Sequence, residues 1–472
     1  MKRRDLFKVG AVTGAALVVP ARQIMAAATG EPLSVPAFAV PLTIPPVLRP
    51  VRRTADTDHY EIHMRQSDVE IVPGTTTRVL TYNGSFPGPT IQVWRGRRAI
   101  VRHTNTLDVP TSTHLHGGHV PPQSDGYPTD VIATGASKSY LYPNEQPAAT
   151  LWYHDHAHHQ EAENVFRGLS GFYLVRDLRT ECQLGLPSGR FDVPLVLRDI
   201  RLDDAAQIVY VHNDFEGRHT VLVNGRPQPY FPVAARKYRF RLLNAANDRA
   251  FKLRLSDGAE LTQIASDGGL LARPNVTPAV DLFPGERVEV VVDFSRYPVG
   301  TQLVLRNDYG EVDATRAVMR FDVVRHARDW SRVPDHLADI PGVPTATVTR
   351  DLTMAIDPKT YVFLLNGRPF DPDRVDYTVR RGSTEIWRIT NTDPFGIPHN
   401  LHLHLVQFRV LDRNGTPPGP AEAGWKDTVT VMPGETVRIA ATFTGYTGRY
   451  VYHCHLIDHA TQSMMGQFEV VN

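Results

Sequence analysis

Gly448–Met465 reads GRYVYHCHLIDHATQSMM. Cys454 stands between His453 and His455, His459 follows four residues on, and Met464 comes five after that. Alternate side chains of a strand face opposite ways. His453 and His455 are therefore expected on one side and Cys454 on the other. A thiolate with two imidazoles and a weak thioether is the donor set of a blue-copper electron-transfer centre. The flanking histidines would then serve a second metal site, only a few backbone bonds from the first. A core strand with a buried thiol could read the same way. Against it stand three more His-x-His pairs: His114-Leu-His116, His154-Asp-His156 and His402-Leu-His404.

The chain repeats itself. An Asn-Gly turn follows an apolar run at Asn83–Gly84, Asn224–Gly225 and Asn366–Gly367, at spacings of 141 and 142 residues. Alternating strands end in Asn105 (AIVRHTN), Asn244 (KYRFRLLN) and Asn391 (TEIWRITN). Pro-Gly-Glu opens a strand at Pro284–Glu286 and again at Pro433–Glu435. Each unit is the size of one β-sandwich domain. Strands such as VEVVVDF and VRIAATF alternate as half-buried sheet does. The expected domains are 45–180, 185–325 and 350–472, with linkers at Leu178–Gly189 and Arg325–Pro344. DWSRVPDHL, in the second linker, is expected to form one helical turn. Domain 2 reads IASDGG where the others carry His pairs, and its His212 and His219 are unpaired. It is expected to be a copper-free spacer.

The four pairs supply eight imidazoles, enough for a three-copper cluster with three on each of two ions and two on the third. Open positions on such ions are where O2 and water bind. Neutral imidazole suits copper and adds no negative charge. The remaining set is His399, Cys454, His459 and Met464, with His399 on the same connection as the third pair (PHNLHLH). Met465 is a second thioether candidate, though spacing favours Met464.

The 51 basic and 50 acidic residues balance, so no nucleic-acid partner is implied. The 37 Pro and 34 Gly suit a β-rich chain. Past the N-terminus, nothing is apolar and long enough to span a bilayer. Residues 1–28 carry Arg3–Arg4, an apolar run Val9–Val19 and the small residues Ala26–Ala28. This pattern is that of a twin-arginine signal peptide. It implies the twin-arginine export machinery and a periplasmic or secreted location. Pro36–Pro50 is then a Pro-rich extended lead-in rather than a packed element. With Cys454 a ligand, Cys182 has no disulfide partner, and stability must come from the cores.

The segments HLHG, WYHDH, PHNLHLH and HCHLIDH-x4-M together resemble, in order and spacing, the four copper motifs of the three-domain multicopper oxidases. THLHGGHVPPQSDGYP, LWYHDHA and GWKDTV are closest to spore-coat laccases and bilirubin oxidases. The resemblance implies an all-β chain of three cupredoxin-like Greek-key β-sandwich domains. It implies four coppers: type 2 on His114 and His402; a type 3 pair on His116, His154, His156, His404, His453 and His455; type 1 on His399, Cys454, His459 and Met464. It implies an oxidase taking single electrons from phenols or aromatic amines and reducing O2 to water, with Cys454 carrying the electrons. An axial Met stabilises oxidised copper, so a low-to-middle potential is expected. Asp125 resembles the family's acid beside the cluster and is expected to donate or relay protons. Asp427 is expected near the type 1 site, orienting a ligating imidazole or a substrate proton. His119, His158 and His159 exceed the ligand count and read as supporting or surface residues. Two departures stand out: Asn400 follows His399 where many relatives have Pro, and Ala460 follows His459 where several have an acid. The other readings are a Cu(I) oxidase, for which only 8 Met is poor provision, a copper store, and a non-catalytic structural protein, which would not need all these ligands.

Overall fold

The computed structural model describes residues 35–472; the expected signal peptide lies outside the described residues. Six sheets pair into three sandwiches. In the first, Thr113–His116, Ala149–Asp155, Ser170–Arg176 and Gly88–Trp94 face the sheet built on Thr57–Val69, Arg98–Asn105 and Ser137–Tyr142. The second sandwich centres on Asp192–Ile200, Lys237–Asn244 and Arg287–Asp293. In the third, Gly448–Cys454 runs between Met465–Val471 and His399–Leu403. Each sandwich closes on its own apolar core, around Tyr140 and Leu151 in the first, Phe240 and Phe321 in the second, Trp387 and Phe468 in the third.

The repeated asparagines have physical jobs. Asn83, Asn224 and Asn366 take the left-handed backbone that a tight hairpin turn demands, each followed by a glycine of positive φ. Asn105, Asn244 and Asn391 are fully buried at the ends of equivalent strands. Each Nδ2 donates to two carbonyls, for example Asn244 to Arg249 O and Leu282 O at 2.8 and 2.9 Å. Each Oδ1 accepts the N–H two residues on. One side chain thus satisfies three buried backbone groups where a strand leaves its sheet.

The connections depart from expectation. The lead-in is partly packed: Val47–Leu48 adds a parallel strand to Gly88–Trp94, and Pro41 bridges Tyr230 of the second sandwich. Leu178–Leu184 is helical, because Asp177 caps it through Thr180 N–H and Gly185 ends it with positive φ. DWSRVPDHL forms no helical turn. The Asp329 carboxylate instead accepts the N–H groups of Ser331 and Lys237 and pairs with Arg236. Pro334 further disfavours helix at the residue before it. This stretch lays Leu337 against Val291, so Arg287–Asp293 is buried on both faces rather than one.

A buried charge network joins the first two sandwiches. Arg241 donates to Asp192 (2.7 and 2.9 Å), to Glu289 (2.8 Å) and across the interface to Thr150 Oγ1 (2.8 Å). Burial would raise the Asp192 carboxyl, but Arg241, Arg239 and Arg176 outweigh it and hold it at about 2. A carboxyl held lower when folded stabilises the fold above its ordinary value and ceases to as pH falls towards 2. Arg241→Met removes the partner that two buried carboxylates share, leaving Asp192 with Arg176 and Glu289 with Arg239, and is expected to cost about 2–3 kcal/mol. Chemical unfolding should show the loss, and the gap to the parent should narrow on acidification, as those carboxyls become neutral.

Candidate metal centres

The sheets bring the histidines together by register. His114 lies directly opposite His154 on paired strands of the first sandwich. His402 lies directly opposite His453 in the third. Period-2 alternation puts the second member of each pair on the same face. The two histidine-bearing faces meet, and all eight rings are buried.

Their nitrogens sort into three groups. His114 Nε2 and His402 Nε2 are 3.3 Å apart. His156 Nε2 and His404 Nε2 lie 3.1 and 3.3 Å from His453 Nε2. His116, His154 and His455 each offer a ligand atom within 4.8 Å of the others. The far nitrogens decide what these close approaches mean. Nδ1 of His114 and of His402 donates to the carbonyls of Asp125 (2.5 Å) and Asp427 (2.8 Å). Nδ1 of His453 donates to Cys454 O at 3.0 Å, and Nδ1 of His404 faces Asp125 Oδ2 at 2.7 Å. Carbonyls only accept, so Nδ1 of His114, His402 and His453 carries the hydrogen and Nε2 presents a bare lone pair, and His404 does the same while the Asp125 proton sits on Oδ1. Lone pairs facing at such distances repel unless a cation sits among them. In the third group His116 Nδ1, His154 Nε2 and His455 Nε2 are buried without any partner. Such a donor set fits copper.

Burial drives the rings toward the neutral form that binds metal. It holds His154 and His453 at about 3 and sends His114, His116, His402, His404 and His455 well below the ordinary imidazole range. His156 is the exception: burial lowers it, but the Glu161 carboxylate raises it further.

Cys454 faces the other way, as alternation requires. Its Sγ is 3.7 Å from His399 Nδ1 and from His459 Nδ1, which are 3.2 Å apart. Burial pushes the thiol up to about 12, so it ionises readily only against a cation. Met464 packs in the same core as Cys454, while Met465 pairs with His453 on the opposite face. Asp393 Oδ2 lies 3.3 Å from His399 Nε2. The loop between His455 and His459 is tied down by Asp458, which accepts from Arg218 (2.5 Å) and Asn247 (2.9 Å) of the second sandwich.

The carboxylates are placed less as expected. Asp125 does lie beside the histidines, with Oδ1 lacking any partner and burial pushing the group up to about 8. Asp427 does not sit at the Cys454 side. Its Oδ1 accepts from His116 Nε2 (3.0 Å), and its backbone oxygen serves His402, so it supports the eight-histidine cage. The register places Thr428 opposite His402, which puts Asp427 under that cage. Sequence reasoning missed Glu161, whose Oε2 lies 3.0 Å from His156 Nδ1 as a bent charge contact. A carboxylate five residues past a His-x-His pair was its only signal. His119 bonds Thr444 O, and His158 and His159 pack against each other, tilted, with ring centroids 3.7 Å apart, outside the cage. Cys182 is an exposed free thiol.

Comparison with known proteins agrees with this geometry. Sequence models described as multicopper oxidase match residues 63–180, 204–320 and 341–472. The chain is 37% identical to a laccase of Bacillus subtilis, over 92% of this chain and 98% of that one. It is 37% identical to a bilirubin oxidase of Albifimbria verrucaria, over 92% of this chain and 81% of that one. The crystal structure of a laccase from Pediococcus acidilactici superposes with a TM-score of 0.87 at 33% identity, covering 93% of this chain and 95% of that one. With matches to all three sandwiches and buried nitrogens that call for metal, the chain belongs to the multicopper oxidase family, whose members are copper-dependent oxidoreductases.

Proposed function

We propose that the protein is a laccase-like oxidase that takes single electrons from phenols or aromatic amines and reduces O2 to water. His399, Cys454, His459 and Met464 would hold the type 1 copper, and His114 with His402 the type 2. His116, His154 and His455 would hold one type 3 ion; His156, His404 and His453 would hold the other. When bound, the coppers supply one-electron acceptance at the first centre and pooled four-electron reduction of O2 at the other three. The observation that carries this reading is the strand end 453–455: one residue, Cys454, faces one donor set while its two covalent neighbours face two others. That wiring serves electron transfer, and a copper store has no use for it.

The donor's point of entry follows from burial. His459 is 7% exposed, while the other eleven proposed ligands are at most 2% exposed. Its ring packs 4.4 Å from Phe363, an apolar flank suited to an aromatic donor. Soft cover for Cu(I) is absent among the described residues: Met64, Met319, Met354, Met464 and Met465 are buried in cores, and only Met432 is exposed. The test is steady-state turnover of the copper-loaded protein on a dimethoxyphenol, bilirubin and Cu(I). Preference for the phenol is expected; strong preference for Cu(I) would overturn the reading.

Asp125 can hold a proton on Oδ1, which has no hydrogen-bond partner, while its backbone oxygen accepts from His114 and its Oδ2 accepts from His404. Asp125→Asn is expected to slow turnover by about 100-fold, the scale of one acid–base group, with copper content unchanged. Unaltered turnover would remove Asp125 from proton delivery. The N-terminal pattern supports action in the periplasm or outside the cell, which fractionation of the producing cells would test.

A further inference from the structure

Among the described residues, three of the largest fully buried side chains are arginines, Arg218, Arg241 and Arg287, and all belong to the middle sandwich. That sandwich supplies none of the proposed ligands. Arg287 follows the repeated Pro-Gly-Glu mark, and its strand, Arg287–Asp293, begins beneath the histidine cage.

Its guanidinium touches all three sandwiches. Nε donates to Thr150 O (3.0 Å), on the strand that carries His154. Nη1 and Nη2 grip the Asp427 carboxylate of the third sandwich at 2.7 and 2.5 Å. Within its own sandwich it donates to Gly285 O and Asp267 O. The packing leaves no slack. A methyl group on Gly117, the residue after His116, would fall 2.5 Å from Asp427 Oδ2 and 2.7 Å from Arg287 Nη2. One on Gly285 would fall 2.8 Å from His455 Nδ1.

Asp427 converts this grip into ligand orientation. Its Oδ1 accepts the His116 Nε2 hydrogen, which leaves Nδ1 bare toward the cage. Its backbone oxygen accepts the His402 Nδ1 hydrogen, which leaves Nε2 bare toward His114. One residue thus sets the tautomers of two rings from opposite sandwiches, and Arg287 fixes that residue bidentately. Lysine could supply the charge but not the two-pronged grip together with the bond to Thr150.

We propose that Arg287 is a positioning residue for the oxygen-reducing centre: through Asp427 it holds His116 and His402, so the middle sandwich is a working part of that centre rather than a spacer. This rests on the copper reading given above. Arg287 acts through Asp427, without touching a ligand itself.

The experiment compares the full chain, loaded with copper, with Arg287→Lys and Asp427→Asn. Blue absorbance per chain reports the Cys454 centre and the integrity of the third sandwich. The type 2 electron paramagnetic resonance signal and copper retention against a chelator report the cage. In Arg287→Lys the blue absorbance should stay at the parent level. The type 2 signal should shift, and turnover and copper retention should fall about 10- to 100-fold, the scale for supports of metal ligands. Asp427→Asn should reproduce this pattern, and the double variant should lose little more than the worse single, because the two act as one unit. An Arg287→Lys protein with parental type 2 signal, retention and turnover would overturn the proposal. If it accumulates unfolded, Asp427→Asn alone decides, and a parental type 2 signal there overturns it equally. A parent chain that fails to take up copper at the cage would instead sink the copper reading itself.

Discussion

Cys454→Ser is expected to give a colourless protein that folds, keeps the coppers of the histidine cage and has lost oxidase activity. Serine is nearly isosteric, but its oxygen is a poor donor beside a thiolate, and the visible charge-transfer colour needs the sulfur. The cage should survive, because none of its eight imidazoles depends on Sγ for its position: His453 is oriented by the backbone oxygen of Cys454, which serine also has. Turnover should fall by ~1000-fold or more, as when one member of a unit that acts together is removed. Metal analysis should show one copper fewer per chain. Colour and activity both persisting would remove Cys454 from the electron path.

His402→Ala should produce the complementary defect. His402 Nε2 faces His114 Nε2 at 3.3 Å, so the two-histidine group cannot survive its loss. The Cys454 centre lies on the opposite face and should stay blue. Mixed with a phenol under argon, the variant should bleach as the parent does. On admission of air the parent should recolour at once, and the variant should stay bleached. Steady-state turnover should again fall by ~1000-fold or more, but here with colour intact. Recolouring at the parental rate would mean that O2 is reduced without the His114–His402 group.

The pattern of what could be read in the sequence has a physical basis. The histidines were legible because strand alternation converts spacing directly into direction. Cys454 had to oppose its neighbours whatever the surroundings. The repeated asparagines were legible because each satisfies local backbone groups at a strand end, a task that recurs with the fold. The supports of the cage were not legible. Asp427 was expected on the Cys454 side because GWKDTV carries no signal of which neighbour its strand pairs with. Only the register opposite His402 settles that. Glu161 meets His156 within its own sandwich through a turn of the chain, and Arg287 meets Asp427 across a domain interface; neither contact leaves a periodicity in either partner. The helical turn expected in DWSRVPDHL failed for a similar reason. Polar, Pro-bearing segments looked solvated, yet Leu337 and Asp329 find partners on a sheet more than forty residues away.

Anomalous scattering at the copper absorption edge from crystals of the copper-loaded chain tests the central claim most directly. The claim is that two sandwiches enclose a three-metal cage fed through one cysteine. Four peaks are expected: one among His399, Cys454 and His459, one between His114 and His402, and one in each of the two remaining histidine triads. A map with no peak beside Cys454, or with fewer than three inside the cage at full copper loading, would contradict it.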